Sequence, residues 1–284
     1  DDSIIGGLGY DSIEAGSGND SMDAGDGNDL VNGGTGNDTL LGGLGSDTLT
    51  GGDGNDWVDA GIGDDWVYAD AGNDTLEGGV GNDTVQGGAG NDSYMVDSAT
   101  DVIAENAGEG TDSVTSSVNH TLAANVDNLT LAGAALSGTG NTQANVITGN
   151  AANNVLDGGS GADTLIGGIG KDTLTGGDGN DIFRFDSILN KLTNVDTITD
   201  FTAGDKIQLE NAVFTKLVAL GTLSAANFVS GAGAVALDAK DFIIYDSATG
   251  ALSYDADGSG AGAAVQFATL TGTPTLSVMD FQVS

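Results

Sequence analysis

The chain has 284 residues, of which 42 are acidic, six are basic and none is cysteine, so its formal net charge is −36. This charge argues against nucleic acid and anionic membrane surfaces as partners, and the lack of cysteine excludes disulfides and thiolate chemistry. The imbalance is concentrated in residues 1–181, which contain 31 acidic side chains and a single base, Lys171. We expect this segment to be disordered, or nearly so, unless a divalent cation neutralises it.

Ten consecutive nine-residue units occupy residues 6–95 and follow the pattern Gly/Ala-Gly-x-Gly-x-Asp-x-apolar-x, with positions numbered one to nine. Position four is always glycine and position eight is always apolar. Position six is always aspartate, in Asp11, Asp20, Asp29, Asp38, Asp47, Asp56, Asp65, Asp74, Asp83 and Asp92. A carboxylate, a glycine turn and a core residue that recur in phase are typical of calcium-binding parallel β-helices.

The spacing predicts how these units stack. Glycine at positions two and four permits a tight turn, and the x-apolar-x tail predicts a three-residue strand that buries its middle side chain. Two units, or 18 residues, then complete one coil, and equivalent positions stack about 4.8 Å apart. Asp11 therefore starts one column of carboxylates and Asp20 starts a second column on the opposite edge.

Bare carboxylates at this spacing repel each other, and a cation between stacked turns relieves the repulsion. Calcium takes six to eight oxygen ligands at about 2.3–2.6 Å, whereas magnesium gives up its waters reluctantly. Oxygen ligands without His or Cys favour calcium over zinc or copper. A complete site needs units n and n+2, which predicts about eight calcium ions in the first block.

The segments Gly33–Leu40 and Gly78–Val85 resemble the RTX (repeats-in-toxin) family. The resemblance implies a right-handed parallel β-roll with calcium in its turns, export by a type I secretion system, and folding outside the calcium-poor cytosol. Asp70 departs from the pattern at position two and either distorts its site or adds a carboxylate. Residues 1–5 read as the tail of an earlier repeat, so we expect the chain to begin inside a longer protein or to be processed from one.

Residues 96–139 lose the nine-residue frame. Short β-rich runs between Gly and Asn turns predict a metal-poor β spacer that continues the solenoid. Asp101, Glu105 and Asp112 could bind calcium there, but solvated surface charge is the favoured interpretation.

The frame returns in residues 140–184, which form a second repeat block. Asn145 and Asn154 replace aspartate in two units that lack the fourth glycine, so amide hydrogen bonds and metal-poor coils are expected there. Three full units follow, with Asp163, Asp172 and Asp181 at position six. They predict one to three calcium ions, the best formed between the turns of Asp163 and Asp181.

Residues 185–284 are richer in Phe, Lys and long apolar side chains and predict a β-rich cap for the solenoid. The segment Asp196–Leu209 resembles the one that follows the last repeats in many type I secreted hydrolases. The Asp-x-Asp-Gly sequence at Asp255 and Asp257 predicts either one more calcium site or a capped turn. Residues 279–284 resemble the uncleaved type I secretion signal.

No catalytic residues are predicted within this chain. His120 is the only histidine, which excludes thiol–His and zinc-hydrolase sites, and no nucleophile-elbow pattern lies near it. The glycine-rich loops lack the lysine and following helix of a phosphate site. No apolar stretch approaches the length of a membrane-spanning helix, so membrane insertion is not expected.

These features predict a secreted, extracellular, calcium-binding module with an all-β fold. The favoured role is a structural or adhesive scaffold of the surface-layer or filament kind. The alternative is the export and folding module of a secreted hydrolase (protease, lipase or epimerase type) or toxin whose active domain lies upstream. Expected partners are calcium and the type I secretion machinery. Trp57 and Trp66 are expected to be exposed on opposite sheets. Self-association or a cell-surface partner stays open, with Trp66, Tyr68 and Leu30 on one face as an apolar contact patch.

Overall fold

The structure, a computed structural model, describes residues 1–284 and consists almost entirely of β-strands. It divides into two compact units, residues 1–135 and 136–284. The division falls within the segment 96–139 that the sequence sets apart as a spacer, and the finer four-part division stays a prediction. No helix is long and apolar enough to cross a bilayer.

The first unit contains fifteen strands. They are β1 (Ser3–Leu8), β2 (Ser12–Ser17), β3 (Ser21–Asp26), β4 (Leu30–Thr35), β5 (Thr39–Leu44), β6 (Thr48–Asp53), β7 (Trp57–Ile62), β8 (Trp66–Ala71), β9 (Thr75–Glu77), β10 (Thr84–Ala89), β11 (Ser93–Val96), β12 (Val102–Ala104), β13 (Ser113–Ser116), β14 (His120–Thr121) and β15 (Asn128–Leu131).

Each strand of the repeats pairs in parallel with the strand two further along the chain. Ser3 of β1 pairs with Ser21 of β3, which pairs in turn with Thr39 of β5. Odd-numbered strands therefore form one sheet and β2 to β12 form a second. This register confirms the predicted all-β parallel solenoid with two nonapeptides per coil.

The core consists of the side chains at position eight, which face each other between the two sheets. Met22, Val31, Leu40, Leu49 and Val58 are completely buried. Position seven points outward, as predicted, and leaves Trp57 of β7 and Trp66 of β8 exposed on different sheets.

Most strands of the first block are six residues long, although the sequence predicts three. Positions one to three also join the ladder, as shown by the pairing of Gly7 with Gly25 and of Gly25 with Gly43. A Cβ on Gly25 would overlap the carbonyl oxygen of Gly7. The missing side chains thus let the backbones of successive coils approach and extend each strand.

The solenoid continues beyond the repeats with coils of unequal length. Ser93 of β11 pairs with Ser113 of β13, and Ser113 pairs with Asn128 of β15, so these coils span 20 and 15 residues. The spacer therefore keeps the parallel ladder without keeping the nine-residue period.

The second unit contains fourteen strands and two short 3-10 helices, at Ala225–Asn227 and Val278–Asp280. The strands are β16 (Ser137–Thr139), β17 (Val146–Thr148), β18 (Val155–Asp157), β19 (Thr164–Ile166), β20 (Thr173–Thr175), β21 (Ile182–Phe185), β22 (Asp196–Ile198), β23 (Lys206–Leu209), β24 (Gly221–Thr222), β25 (Phe228–Gly231), β26 (Ile243–Asp246), β27 (Ala251–Tyr254), β28 (Val265–Leu270) and β29 (Phe281–Val283).

The second unit begins as stacked coils and ends in a mixed sheet. Strands β17, β19, β21 and β23 pair in parallel, and β29 joins β23 in parallel. Strand β28 continues the other sheet beside β22, and antiparallel pairing then adds β27 and β26. Phe214 packs edge-to-face against Tyr254 and Phe267 at ring distances of 5.2 and 5.1 Å. This aromatic core agrees with a β-rich end region, whose capping role stays a prediction.

Candidate metal centres

The position-six aspartates form two continuous columns in which each carboxylate holds the preceding coil. The backbone N–H of Asp20 donates to Oδ1 of Asp38 at 2.8 Å, and that of Asp38 donates to Oδ1 of Asp56 at 2.8 Å. The same bond recurs along the Asp11 column, for example from Asp29 to Asp47 at 2.7 Å. These carboxylates are thereby fixed in place, and those from Asp20 to Asp92 are at most 3% exposed.

The second carboxylate oxygen, Oδ2, is buried and has no hydrogen-bond donor in thirteen of these residues. They are Asp11, Asp20, Asp29, Asp38, Asp47, Asp56, Asp65, Asp74, Asp83, Asp92, Asp163, Asp172 and Asp181. A buried charged oxygen without a partner is strongly unfavourable. These thirteen residues are the position-six aspartates of all the complete repeats. A cation beside each Oδ2 would supply the missing partner.

Backbone carbonyls lie beside these oxygens, in a cradle that glycine leaves open. A Cβ built on Gly33 would lie 2.5 Å from Oδ2 of Asp38 and 2.6 Å from the carbonyl oxygen of Gly51, one coil further on. A Cβ on Gly6 would meet Oδ2 of Asp11 and the carbonyl oxygen of Ala24 in the same way, at 2.8 and 2.5 Å. Carboxylate and carbonyl oxygens are the hard ligands that calcium prefers.

The residue at position two differs between turns in which a side-chain oxygen of position six lacks a donor and turns in which it has one. In the aspartate units this residue has positive φ, as in Gly34 and Gly43 at 105° and 102°. In the two asparagine units, position two is Asn141 or Asn150, neither of which has positive φ. Their backbone N–H groups donate to Oδ1 of Asn145 and Asn154, each at 2.8 Å. The asparagine turns are thus closed by a hydrogen bond where the aspartate turns have none.

Burial raises the pKa of five aspartates of the first block toward neutrality when no cation is present. Desolvation, with a smaller contribution from neighbouring carboxylates, raises the pKa of Asp65 and Asp74 to about 7. The same causes raise the pKa of Asp56, Asp83 and Asp92 to about 6. The energetic cost of ionising these groups is what a bound cation would offset.

Asp70, the departure at position two, keeps the backbone conformation of the glycine that it replaces. Its φ is +71°, a region that aspartate tolerates better than most residues. Its charge also raises the pKa of Asp56 and Asp74. The backbone geometry therefore argues against a distorted turn, and an additional carboxylate ligand from Asp70 stays a prediction.

Four further aspartates extend the columns. The sequence offered Asp101 and Asp112 as possible calcium ligands but favoured solvated surface charge, whereas Asp112 is 1% exposed. Asp196 and Asp205 were not predicted. The backbone N–H of Asp83 donates to Oδ1 of Asp101 at 3.4 Å, and that of Asp92 donates to Oδ1 of Asp112 at 2.8 Å. In the second unit, Oδ1 of Asp196 and Asp205 accept from Asp172 and Asp181 at 3.1 and 3.0 Å. Asp101 lies 18 residues after Asp83 and was detectable by that spacing, whereas the other three follow coils of 20 or 24 residues.

The structure places Asp255 and Asp257 in a turn that uses their carboxylates internally. Oδ1 of Asp255 accepts from the backbone N–H of Asp257 at 3.2 Å, and Oδ2 of Asp257 accepts from that of Gly262 at 2.9 Å. These bonds match the capped-turn alternative, and neither carboxylate has an oxygen among the thirteen unpartnered ones.

The repeats match a known protein family, and the chain as a whole is similar to a solved structure. A sequence model of the RTX calcium-binding nonapeptide repeat, in four copies, matches residues 1–31, 32–67, 59–94, 68–103, 139–174 and 157–187, which together cover more than half of the chain. No curated protein sequence matches. Among solved structures, the chain is similar to the extracellular lipase LipA from Serratia marcescens at 17% identity and a TM-score of 0.18, over 87% of this chain and 40% of the lipase. The chain therefore spans less than half the length of that lipase. The repeat matches, together with the two columns of buried aspartates, show that the chain belongs to the RTX calcium-binding nonapeptide repeat family.

Proposed function

We propose that this chain is an extracellular scaffold module that folds on calcium after type I secretion and acts as a rigid structural or adhesive element. The observation that supports it most directly is the set of thirteen buried carboxylate oxygens without a donor. Calcium between successive coils would supply each of them with a partner and would neutralise the columns. The ion is then a structural component of the fold, held by the thirteen position-six aspartates and the adjacent carbonyl oxygens.

Folding would then depend on the free calcium concentration of the medium. Because a ligand that binds only the folded state stabilises it by RT ln(1 + [L]/Kd), each site adds about 2.7 kcal/mol when free calcium is 100 times its Kd. Several such sites in one solenoid shift the equilibrium far toward the folded state, since neighbouring coils support each other. In a calcium-poor compartment the same carboxylates repel and favour the unfolded chain.

The placement of the C-terminal residues supports folding after export. Phe281 and Val283 of β29 are 1% and 3% exposed, and the strand pairs with β23. A secretion signal in residues 279–284 would therefore be accessible to the export machinery only before this unit folds.

The test is far-UV circular dichroism during calcium titration of the exhaustively chelated chain. We expect a cooperative gain of β-signal with calcium and a much weaker response to magnesium at the same ionic strength. A chelated chain that already has its full β-signal would contradict the proposal. The alternative role, as the folding module of a secreted hydrolase or toxin, would be favoured by a catalytic or toxin domain encoded upstream of Asp1.

A further inference from the structure

Three carboxylates meet where the last nonapeptide of the first block joins the inserted 20-residue coil. One oxygen from each of Asp92, Glu105 and Asp112 lies within 4.8 Å of the other two. Asp92 is the last position-six aspartate of the block, whereas Glu105 follows β12 and Asp112 precedes β13. Two of the three residues thus belong to the spacer and lie outside the repeat pattern.

Two oxygens in this cluster are buried and have no donor. Asp92 is 1% exposed and its Oδ2 is unpartnered, and Oε2 of Glu105 is likewise buried without a partner. The other oxygens are held in place, since Oδ1 of Asp112 accepts from the backbone N–H of Asp92 at 2.8 Å. Oε1 of Glu105 accepts from the hydroxyl of Tyr94. The carboxylates are therefore fixed in a position that leaves oxygens facing each other.

Tyr94 explains how a glutamate reaches this position. It occupies position eight, where the other nine units carry an aliphatic residue or methionine, and it is 2% exposed. A buried phenol needs a hydrogen-bond partner, and Glu105 provides it. A Cβ on Gly87 would lie 2.6 Å from Oε1 of Glu105, so only a glycine at that position leaves room for the cluster.

The cluster has the dimensions and charge of a cation site. Two oxygens bound to one calcium at about 2.3–2.6 Å can be at most about 4.6–5.2 Å apart, and the three oxygens fall within this limit. No lysine or arginine occurs in the chain before Lys171. An all-oxygen ligand set of this charge favours calcium over the softer transition metals.

We propose that Asp92, Glu105 and Asp112 hold a further calcium ion, which ties the spacer coil to the end of the first repeat block. The site builds on the calcium occupancy proposed for the repeats. It differs from them in taking a glutamate ligand from outside the nonapeptide, so it extends metal binding into a segment that the repeat pattern does not cover.

The test uses the full chain and counts bound calcium by equilibrium dialysis with atomic emission. Glu105→Gln keeps the size and the hydrogen-bond acceptor but removes the charge, and we expect it to lose about one ion per chain. Asp112→Asn, which keeps an acceptor for the N–H of Asp92, should cause the same loss. The control is Glu14→Gln, on the exposed face of β2, which should retain every ion.

The calcium counts and the circular dichroism signal distinguish failure of this site from failure of the repeat sites. An unchanged calcium count in both folded variants would overturn this inference while leaving the repeat sites intact. Loss of several ions together with the circular dichroism signal in both variants would assign Glu105 and Asp112 to folding alone, and would also overturn it. A wild-type chain that binds no calcium would refute the proposed function itself.

Discussion

The backbone N–H of Asp47 donates to Oδ1 of Asp65, 18 residues further along the chain, at 2.7 Å. Oδ1 of Asp47 in turn accepts from Asp29 at 2.7 Å, while its Oδ2 is buried without a donor. From Asp20 onward, one oxygen of each position-six carboxylate therefore links successive backbones, and the other lies in the cation cradle. Because every link runs within one column, damage to one column should not spread to the other.

Substitution of Asp47 by alanine tests this separation. We expect Asp47→Ala to lose about two ions, since Asp47 contributes to the sites shared with Asp29 and with Asp65. Adding Asp65→Ala should remove only one further site, whereas adding Asp56→Ala, in the opposite column, should remove two. Bound calcium per chain, measured by equilibrium dialysis, distinguishes the pairs. Equal losses in both double variants would contradict two repeats per coil.

The glycine at position four tests how closely the coils must approach. Gly45 has φ of +124°, and a Cβ there would overlap the carbonyl oxygen of Gly27. Gly9 also has positive φ, at +97°, but a Cβ there would meet nothing within 4 Å. Gly9→Ala should therefore cost only the backbone strain of about 1–3 kcal/mol, and Gly45→Ala should cost distinctly more. Thermal unfolding in saturating calcium measures both, and equal losses would show that contact between coils is unimportant.

Acid should partly replace calcium. The pKa values of Asp65 and Asp74 are raised in the fold from 3.8 to about 7, so the folded chain binds protons more tightly than the unfolded chain. This stabilisation is fully present below about pH 4 and is lost as the pH rises through about 7. In calcium-stripped buffer we expect more β-signal at pH 5 than at pH 7.5.

The same shifts predict competition between protons and calcium. Lowering the pH from 7.5 to 5 should raise the calcium concentration at the folding midpoint, because protonated aspartates cannot bind the ion. A midpoint that does not depend on pH over this range would show that these carboxylates are not the ligands.

The asparagine turns offer a gain-of-site experiment. Asn141→Gly permits the positive φ seen in the aspartate units and removes the side chain at position two, and Asn145→Asp supplies the missing charge. The double variant should bind about one more calcium than the wild type. Asn145→Asp alone should gain less, because the N–H of Asn141 still donates to the oxygen at position six. Equal counts in the single and double variants would show that position two does not control the site.

The repeats allowed much of this structure to be predicted. A nine-residue period with two units per coil predicts from the sequence alone that Asp20 lies beside Asp38, because the same backbone conformation repeats at every coil. The predicted strand length of three residues was wrong. The longer strands depend on pairs such as Gly7 with Gly25, and these form only because two backbones approach closely. The places of Asp112 and Asp205 in the columns were not predicted, because their coils span 20 and 24 residues and a local pattern does not give the length of an irregular coil. Glu105 reaches Asp92 only through the insertion that breaks the frame.

The unequal coils also restrict how the strands of successive coils can align. Identical coils of 18 residues could pair one coil out of step and still match glycine to glycine, aspartate to aspartate and apolar residue to apolar residue. The coils of 20 and 15 residues after β11 fit only one neighbour each, so a slipped ladder would lose its match when it reached them. The irregular spacer thus fixes the strand register, so that a repetitive chain has a single favourable alignment.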